Sequence, residues 1–339
     1  MIHKSVLLME AIDGLNIKEG DIFVDCTVGG GGHLEEVCRR FGSKVSLIGI
    51  DLDPDAIARA SARLEHFKCP IRYAVGSFRN IDTILLHSGV SKVDKILFDL
   101  GMSSNQLEGD GRPARPNEFG HSGGGFSFQK DEPLIMSFGR AHSANSIDSP
   151  QASSGQAGSS QAKFTAREIV NDWDEENIRT ILQGYGEEQF AWKIAKAIVA
   201  RREIKPIETT FDLVEIIKSA TPNFYHHRKI HPATKTFQAL RITVNDEIES
   251  LKEGIAKGFQ CLNSGGRMAV ISFHSLEDRV IKQFFNSCAA GNEKTQAKAT
   301  TALATIVTKK PVIPTDDEIV ENPRSRSAKL RIIEKNSKS

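Results

Sequence analysis

Short apolar runs alternate with helix-length segments over the first hundred residues of the chain. The runs are IFVDC (22–26), VSLIGID (45–51), IRYAV (71–75) and VDKILFDL (93–100), and a stretch long enough for a helix separates each from the next. Parallel neighbouring strands need such a crossover, which is usually a helix. The pattern therefore predicts an α/β fold with a Rossmann-like, mostly parallel sheet.

The alternation stops after Gly101, where segments of different composition begin. Residues 141–162 contain 17 Ser, Ala, Gln or Gly in 22 positions, and residues 109–124 are rich in glycine. Neither segment has enough apolar side chains to offset the entropy lost on ordering. Residues 164–220 then show helical periodicity. We predict a helical insertion over 103–230, with flexible segments at 109–124 and 141–162.

Strand and helix patterns of the first kind return towards the C-terminus. A helical pattern covers 232–262, the run RMAVISF (267–273) predicts a fifth buried strand, and the runs TIV and KLRIIE predict a closing pair of strands. The predicted core is therefore discontinuous, with a first part at 1–102 and a second part at 231–339.

Composition and charge exclude several classes of protein. The 339 residues carry 44 Lys+Arg against 43 Asp+Glu, so a polyanion could be held only by a local basic patch. No apolar run approaches the roughly 18 residues that span a bilayer, and no signal or transit peptide is recognisable. The five cysteines have neither CxxC nor zinc-ligand spacing. We expect a cytoplasmic protein with free thiols, no metal site and no membrane association.

The first predicted strand leads into a glycine-rich loop that ends at His33. The glycines from Gly29 to Gly32 let backbone amides approach a ligand closely, although tight turns also use glycine for steric reasons alone. The dinucleotide fingerprint G-x-G-x-x-G fails because Leu34 or Glu35 occupies its last position, and no Lys-Ser or Lys-Thr completes a P-loop. The loop therefore argues against a dehydrogenase or nucleotide hydrolase and favours a small nucleoside with an amino-acid tail.

Acidic residues follow the second and fourth predicted strands, where ligands of open α/β sheets bind. Asp53 precedes Pro54 and is expected to cap the next helix, which leaves Asp51 for ribose hydroxyls. Phe78 could pack on an adenine ring or belong to the core, and both interpretations remain open. Asp99 ends the fourth strand at the ligand edge, where packing seldom requires an acid.

Two downstream features have both a functional and a plain interpretation. In ISFHSLEDR, Ser275 and Asp278 are expected to form a capping box, which leaves His274 unexplained. Residues 190–235 carry 9 basic and 4 acidic side chains, which predicts either a phosphate-binding face or a solvated charged helix. Four more basic residues could extend this face along an RNA backbone: Arg324, Arg326, Lys329 and Arg331.

Nearly the whole chain resembles one family, the bacterial ribosomal RNA small-subunit methyltransferase H family, also called the RsmH or MraW type. The matching motifs occur in the family's order: HKSVLLMEAIDGLNIKEG, GGGGH, GIDLDPDAI, ILFDLGMSSNQL, GFSF, YGEEQFAWKIAKAIV, HPATKTFQALRI, ISFHSLEDR and NPRSRSAKLR. The resemblance implies a class I S-adenosylmethionine-dependent methyltransferase fold with an inserted substrate-recognition domain. It also implies methylation of N4 of a cytidine in the P-site region of 16S rRNA within the small ribosomal subunit.

The resemblance also implies a set of site residues. The cofactor contacts carried over by motif are Gly31, Gly32, His33, Asp51, Phe78, Asp99 and Gln106. The N4 amine is a poor nucleophile because its lone pair is delocalised into the ring, so we expect positioning and a nearby proton acceptor to dominate catalysis. Asp99 is the first candidate acceptor and His274 the second; the alternative role for Asp99 is contact with the cofactor alone.

The chain departs from the family in one segment. Gly124 stands where the family has arginine before GFSF, and PLIMSF (133–138) replaces the family's PLDMRM, so Ile135 stands in place of an acid. An alternative hypothesis is therefore a non-catalytic RNA-binding ribosome assembly factor that retains the methyltransferase fold. The sequence does not decide between a monomer and a homodimer.

Overall fold

The structure, a computed structural model, describes residues 4–101, 124–138, 164–290 and 302–337. Within these ranges seven strands form one sheet. They are β1 (Ile22–Asp25), β2 (Ser46–Asp51), β3 (Ile71–Val75), β4 (Val93–Asp99), β5 (Leu262–Ser272), β6 (Ala304–Ile306) and β7 (Lys329–Lys335).

The strands are arranged in the order β3-β2-β1-β4-β5-β7-β6. The first five strands in this order are parallel to one another, whereas β7 is antiparallel to both β5 and β6. The predicted mostly parallel sheet and the predicted closing pair are therefore confirmed. Strands β1 and β4 are neighbours although the residues between them form two further strands, so the sheet brings together chain segments that are distant in sequence.

Apolar layers cover both faces of the sheet, as the continuous apolar runs of the parallel strands require. On one face, side chains such as Ile48, Phe98 and Val270 pack against helical residues such as Ile255 and Phe285. The helices of this unit are α1 (Leu8–Leu15), α2 (Gly32–Phe41), α3 (Pro54–Leu64), α4 (Ile81–His87), α11 (Glu247–Cys261), α12 (Ser275–Ala290) and α13 (Asp316–Glu321). On the other face, Phe23, Leu47 and Leu97 are among those that pack against α1, α2 and α3.

The chain folds as two compact units. One comprises Met1–Gly101 and Ile248–Ser339, and the other comprises Met102–Glu247. The second unit contains α5 (Ala166–Asp172), α6 (Glu175–Gly184), α7 (Ala191–Arg202), α8 (Thr210–Ala220), α9 (Asn223–His226) and α10 (Thr234–Asn245). Residues 109–123 and 141–162, for which flexibility was predicted, lie outside the described residues.

The second unit extends further along the chain than the insertion expected over 103–230. Phe237, Leu240 and Val244, on α10, are buried in the core of this unit. The helical pattern that starts at 232 therefore divides into α10, which belongs to the second unit, and α11. Periodicity alone gives no sign of this division, because both helices are amphipathic.

Two further observations concern composition. All five cysteines are free thiols, as expected from their spacing. In the part of the chain that the structure describes, no helix is both long and apolar enough to cross a bilayer.

Candidate active site

The loop after β1 is shaped by its glycines. Gly29 and Gly31 have φ values of 52° and 78°, in the left-handed region that favours glycine. A Cβ on Gly31 would lie 3.1 Å from the Cβ of Ala60, and a Cβ on Gly32 would lie 2.1 Å from Ser5 Oγ. These glycines therefore have a steric role in addition to any role in ligand binding.

Asp51 fixes the loop to the end of β2. Its Oδ2 accepts a hydrogen bond of 2.8 Å from the backbone N–H of Gly29, and its Oδ1 accepts one of 2.9 Å from the N–H of Asp53. Asp53 caps α3 by accepting from the N–H of Asp55 at 2.9 Å, as predicted. Burial raises the pKa of Asp51. Each carboxylate oxygen can accept a second hydrogen bond, so Asp51 retains acceptor capacity for a ligand hydroxyl.

Asp25 is a candidate site residue that the sequence analysis missed. It ends β1 and is fully buried. Its Oδ1 accepts a 3.0 Å hydrogen bond from the N–H of Thr27, and its Oδ2 has no hydrogen-bond partner among the described residues. Burial raises the pKa of this carboxyl to about 7. The available signal was an acid at a strand end directly before the glycine loop, the same signal that identified Asp99.

Asp99 lies at the end of β4, next to β1 in the sheet. Its Oδ1 is buried and has no hydrogen-bond partner within the described ranges, and its Oδ2 lies 3.9 Å from Nδ1 of the buried His33. Burial, with smaller contributions from the charges of Asp25 and Glu277, raises the pKa of Asp99 to about 8. A buried acceptor without a partner is costly, and a cationic or hydrogen-donating ligand would remove that cost.

Phe78 contacts the core of its unit. Its ring meets the ring of Phe98 edge to face with 5.6 Å between centroids. A Cβ on Gly254 would lie 2.6 Å from the Phe78 ring, so this glycine makes room for it. The core interpretation of Phe78 thus has direct support, and the ring remains only partly buried.

His274 caps a helix. Its Nδ1 accepts a 3.3 Å hydrogen bond from the N–H of Glu277, whose Oε2 accepts from the N–H groups of Phe273 and His274 at 2.8 and 3.3 Å. The capping box is therefore formed by His274 and Glu277, one residue earlier at each position than the predicted Ser275 and Asp278, so that prediction is wrong. The imidazole Nε2 lies 3.1 Å from Glu277 Oε1.

The Asp278 carboxylate binds two basic residues of β7, both of which were expected to extend the phosphate-binding face. Its Oδ1 accepts from Arg331 Nε at 2.6 Å, and its Oδ2 lies 3.3 Å from Lys329 Nζ. Arg331 is buried on β7. The proposed extension of a phosphate-binding face to Arg331 is therefore wrong, because its charge is neutralised inside the fold.

The structure brings the candidate residues of the first unit to one edge of the sheet. The backbone N–H of Asp99 donates to Thr27 Oγ1 at 2.7 Å, and Asp51 contacts Gly29 in the same loop. Gln106 lies outside the described residues. The arrangement brings together two carboxyl groups, each with an oxygen that has no hydrogen-bond partner in the described ranges, and a ligand with positive charge would favour their ionised form.

Strand β7 lies between β5 and β6 and is antiparallel to both, and acids stand at the ends of β1, β2 and β4. This arrangement defines a class I S-adenosylmethionine-dependent methyltransferase fold. The MraW methylase family matches residues 1–149 and 158–336. The chain belongs to this family, and the predicted family membership is confirmed.

Similar proteins include two named ribosomal RNA small subunit methyltransferase H. The one from Clostridium botulinum (strain Loch Maree / Type A3) is 42% identical over 98% of each chain. The one from Brevibacillus brevis is 38% identical, also over 98% of each chain. A solved rRNA methylase from Streptococcus thermophilus aligns over 99% of both chains at 11% identity with a TM-score of 0.41. None of these matches indicates a homodimer.

Proposed function

We propose that this chain transfers the methyl group of S-adenosylmethionine to N4 of a cytidine in the P-site region of 16S rRNA, on small ribosomal subunits in the bacterial cytoplasm. The observation that carries the proposal is the pair of carboxyl groups of Asp25 and Asp99, each with a buried oxygen that has no hydrogen-bond partner among the described residues. Membership of the MraW methylase family and the names of the relatives support methyl transfer to small-subunit rRNA, and the N4 position rests on the family resemblance.

The cofactor fits the charges of the site. S-adenosylmethionine carries a sulfonium and an ammonium group, and a cation stabilises ionised carboxylates in a buried environment. Asp51 would accept hydrogen bonds from the ribose hydroxyls at the end of β2. The family resemblance adds Gly31, Gly32, His33, Phe78 and Gln106 to the residues that would hold the cofactor. The bound cofactor would supply an electrophilic methyl carbon.

The protein's contribution to the reaction is positioning and proton removal. Alignment of two reactants can supply about 7–11 kcal/mol of the barrier. Transfer of the methyl group to the N4 lone pair, with the carbon–sulfur electron pair remaining on sulfur, would leave N4 cationic and with a proton to lose. Asp99 would then accept the N4 proton in its ionised form, which the adjacent cofactor cation favours. The target base must be unstacked or single-stranded to reach this site.

The decisive experiment measures transfer of labelled methyl from S-adenosylmethionine to small subunits from a strain that lacks the modification, followed by digestion to nucleosides. Label in N4-methylcytidine is expected with the wild type and not with Asp99→Ala, while both proteins bind RNA. Asp55→Asn, which removes an exposed acid on α3, should leave transfer unchanged. Label in another nucleoside would exclude the proposed position.

One observation favours a second function, a non-catalytic ribosome assembly factor. Gly124 and Ile135 replace an arginine and an acid of the family pattern. The altered segment is nevertheless well anchored: Leu134 and Met136 are fully buried, and the backbone N–H of Ala166 donates to the carbonyl of Ile135 at 3.0 Å. Wild-type protein that binds cofactor and subunits but transfers no methyl would favour the assembly factor.

A further inference from the structure

Two exposed aromatic rings lie beside basic side chains in the second unit. Trp192 and Phe224 are 55% and 60% exposed. Lys193 Nζ lies 5.4 Å from the Trp192 ring centroid and 5.8 Å from that of Phe190. The guanidinium carbon of Arg228 lies 5.7 Å from the Phe224 centroid. These five residues form what we call the aromatic–basic face.

The aromatic–basic face is anchored from beneath by a buried acid. Glu188 is 3% exposed. Its Oε2 accepts a 2.6 Å hydrogen bond from the Tyr225 hydroxyl, and its Oε1 accepts one of 2.9 Å from the N–H of Phe190. The Phe190 ring lies 5.0 Å from the Tyr225 ring and 6.2 Å from the Phe224 ring, centroid to centroid. These contacts hold the rings of Phe190 and Phe224 in a fixed relation, which reduces the entropy lost on binding.

Basic side chains predominate in the two segments that carry most of the face. Residues 191–202 contain four Lys or Arg and no acid, and residues 221–235 contain three Lys or Arg and no acid. Accessible aromatic rings stack on unpaired bases, and neighbouring cations pair with phosphates. An apolar protein surface would instead have to desolvate Lys193 and Arg228 without pairing them. The combination of rings and cations therefore fits single-stranded RNA better than an apolar protein.

We propose that the aromatic–basic face binds unpaired nucleotides, with Phe224 and Trp192 stacking on bases and with Arg228 and Lys193 pairing with phosphates. The proposal deepens the proposed function and rests on it for the identity of the RNA as ribosomal. It assigns substrate contact to specific residues of the second unit, at a surface that needs none of the residues of the candidate active site.

The test uses the full chain and a fluorescein-labelled oligouridylate of twelve nucleotides, with affinity measured by fluorescence anisotropy at several salt concentrations. Phe224→Ala and Phe224→Leu should both weaken binding by about fivefold or more, because neither side chain stacks, whereas Phe224→Tyr should bind within about twofold of wild type. Arg228→Gln should reduce the slope of log affinity against log salt by about one.

Phe211→Ala is the matched control. Phe211 is 47% exposed in the same unit, but its backbone N–H donates to the Asp131 carboxylate and Asp212 follows it, so its surroundings are acidic. This variant should bind RNA like the wild type. Thermal unfolding of Phe224→Ala should match that of the wild type because the ring is exposed, which separates loss of contact from loss of fold.

Two results would overturn the proposal. One is wild-type affinity for Phe224→Ala. The other is wild-type affinity for Phe224→Leu with loss only for Phe224→Ala, which would indicate an apolar contact, as with a protein partner.

Methyl transfer separates this proposal from the proposed function. If the wild type transfers no methyl but Phe224→Ala weakens RNA binding, the proposed function fails and the face stands. If the wild type methylates subunits and Phe224→Ala leaves both KM and RNA affinity unchanged, the RNA-binding role of the aromatic–basic face is refuted and the proposed function stands.

Discussion

The hydroxyl oxygen of Thr27 accepts a hydrogen bond of 2.7 Å from the backbone N–H of Asp99, which joins the loop after β1 to the end of β4. The backbone N–H of Thr27 donates in turn to Asp25 Oδ1 at 3.0 Å. One threonine therefore positions both carboxyl groups that the proposed cofactor site uses.

Thr27→Val should weaken the site while keeping the shape of the side chain. The Asp99 amide would lose its acceptor, and an unsatisfied backbone group costs about 1–3 kcal/mol when it is shielded from water. We expect a lower free energy of unfolding in urea and weaker S-adenosylmethionine binding by calorimetry. Thr27→Ser keeps the acceptor and should behave like the wild type. Equal cofactor affinity for Thr27→Val and Thr27→Ser would contradict a positioning role for this hydrogen bond.

Asp51→Asn should impair cofactor binding by at least about tenfold. The amide NH2 of asparagine would face a backbone N–H of Gly29 or Asp53, where the carboxylate now accepts from both. Asp53→Ala is the control two residues away: it removes the cap of α3 and should cost about 1 kcal/mol of stability with little effect on affinity. Cofactor titration and urea unfolding of both variants distinguish the roles. A larger loss of affinity in Asp53→Ala would reverse our assignment.

The stability of the unliganded protein should fall as the pH rises from about 4 to about 8. Asp25 and Asp99 have folded-state pKa values raised to about 7 and about 8, whereas aspartates of an unfolded chain ionise near 4. In this interval the folded state binds protons that the unfolded state has released, so each group lowers the free energy of unfolding by up to about 1.4 kcal/mol per pH unit.

Asp99→Asn removes one of these titrations and provides the measurement. The variant should gain stability relative to the wild type as the pH rises from 5 to 8 in urea unfolding, and the difference should level off above about pH 8. Asp55→Asn, with an exposed side chain, controls for the general loss of one negative charge. A wild-type minus Asp99→Asn difference that does not change with pH would show that Asp99 ionises normally in the folded protein.

Gly31→Ala should destabilise the protein more than Gly20→Ala. Both glycines have positive φ, 78° and 89°, so both substitutions introduce backbone strain of about 1 kcal/mol or more. Only at Gly31 would the new Cβ also press on Ala60, at 3.1 Å, whereas nothing lies within 4 Å at Gly20. Thermal unfolding and cofactor binding are measured for both variants. Gly20→Ala reports backbone strain alone, and Gly31→Ala reports strain plus displacement of the loop. Equal losses at the two positions would mean that the loop accommodates the methyl group.

His274→Asn should keep the fold and most of the transfer rate. The asparagine oxygen can accept from the N–H of Glu277 as Nδ1 of His274 does, and asparagine is a favourable N-cap, whereas His274→Ala should lose about 1 kcal/mol. Single-turnover methyl transfer measures the rate independently of stability. A loss of rate of more than tenfold in a stable His274→Asn variant would give the imidazole a direct part in the reaction, contrary to our assignment of proton removal to Asp99.

Local pattern determined much of the fold and part of the candidate site. The apolar runs predicted each of the parallel strands, because a strand buried on both faces must be apolar along its length. Asp53 before Pro54 predicted a helix cap, since that pair acts through its own neighbours in the chain. Family membership was also readable, because motifs such as GGGGH and HPATKTFQALRI keep their order along the chain.

Tertiary structure decided which of these residues meet. Asp25 and Asp99 are far apart in sequence and become neighbours because β1 pairs with β4, which leaves the Asp25 carboxyl and the Oδ1 atom of Asp99 buried. Arg331 is a second example. The sequence suggested that it binds RNA, but the antiparallel pairing of β7 with β5 places it against Asp278. Sequence spacing records neighbours along the chain, whereas burial, and with it the energetics of each charge, depends on contacts between distant segments.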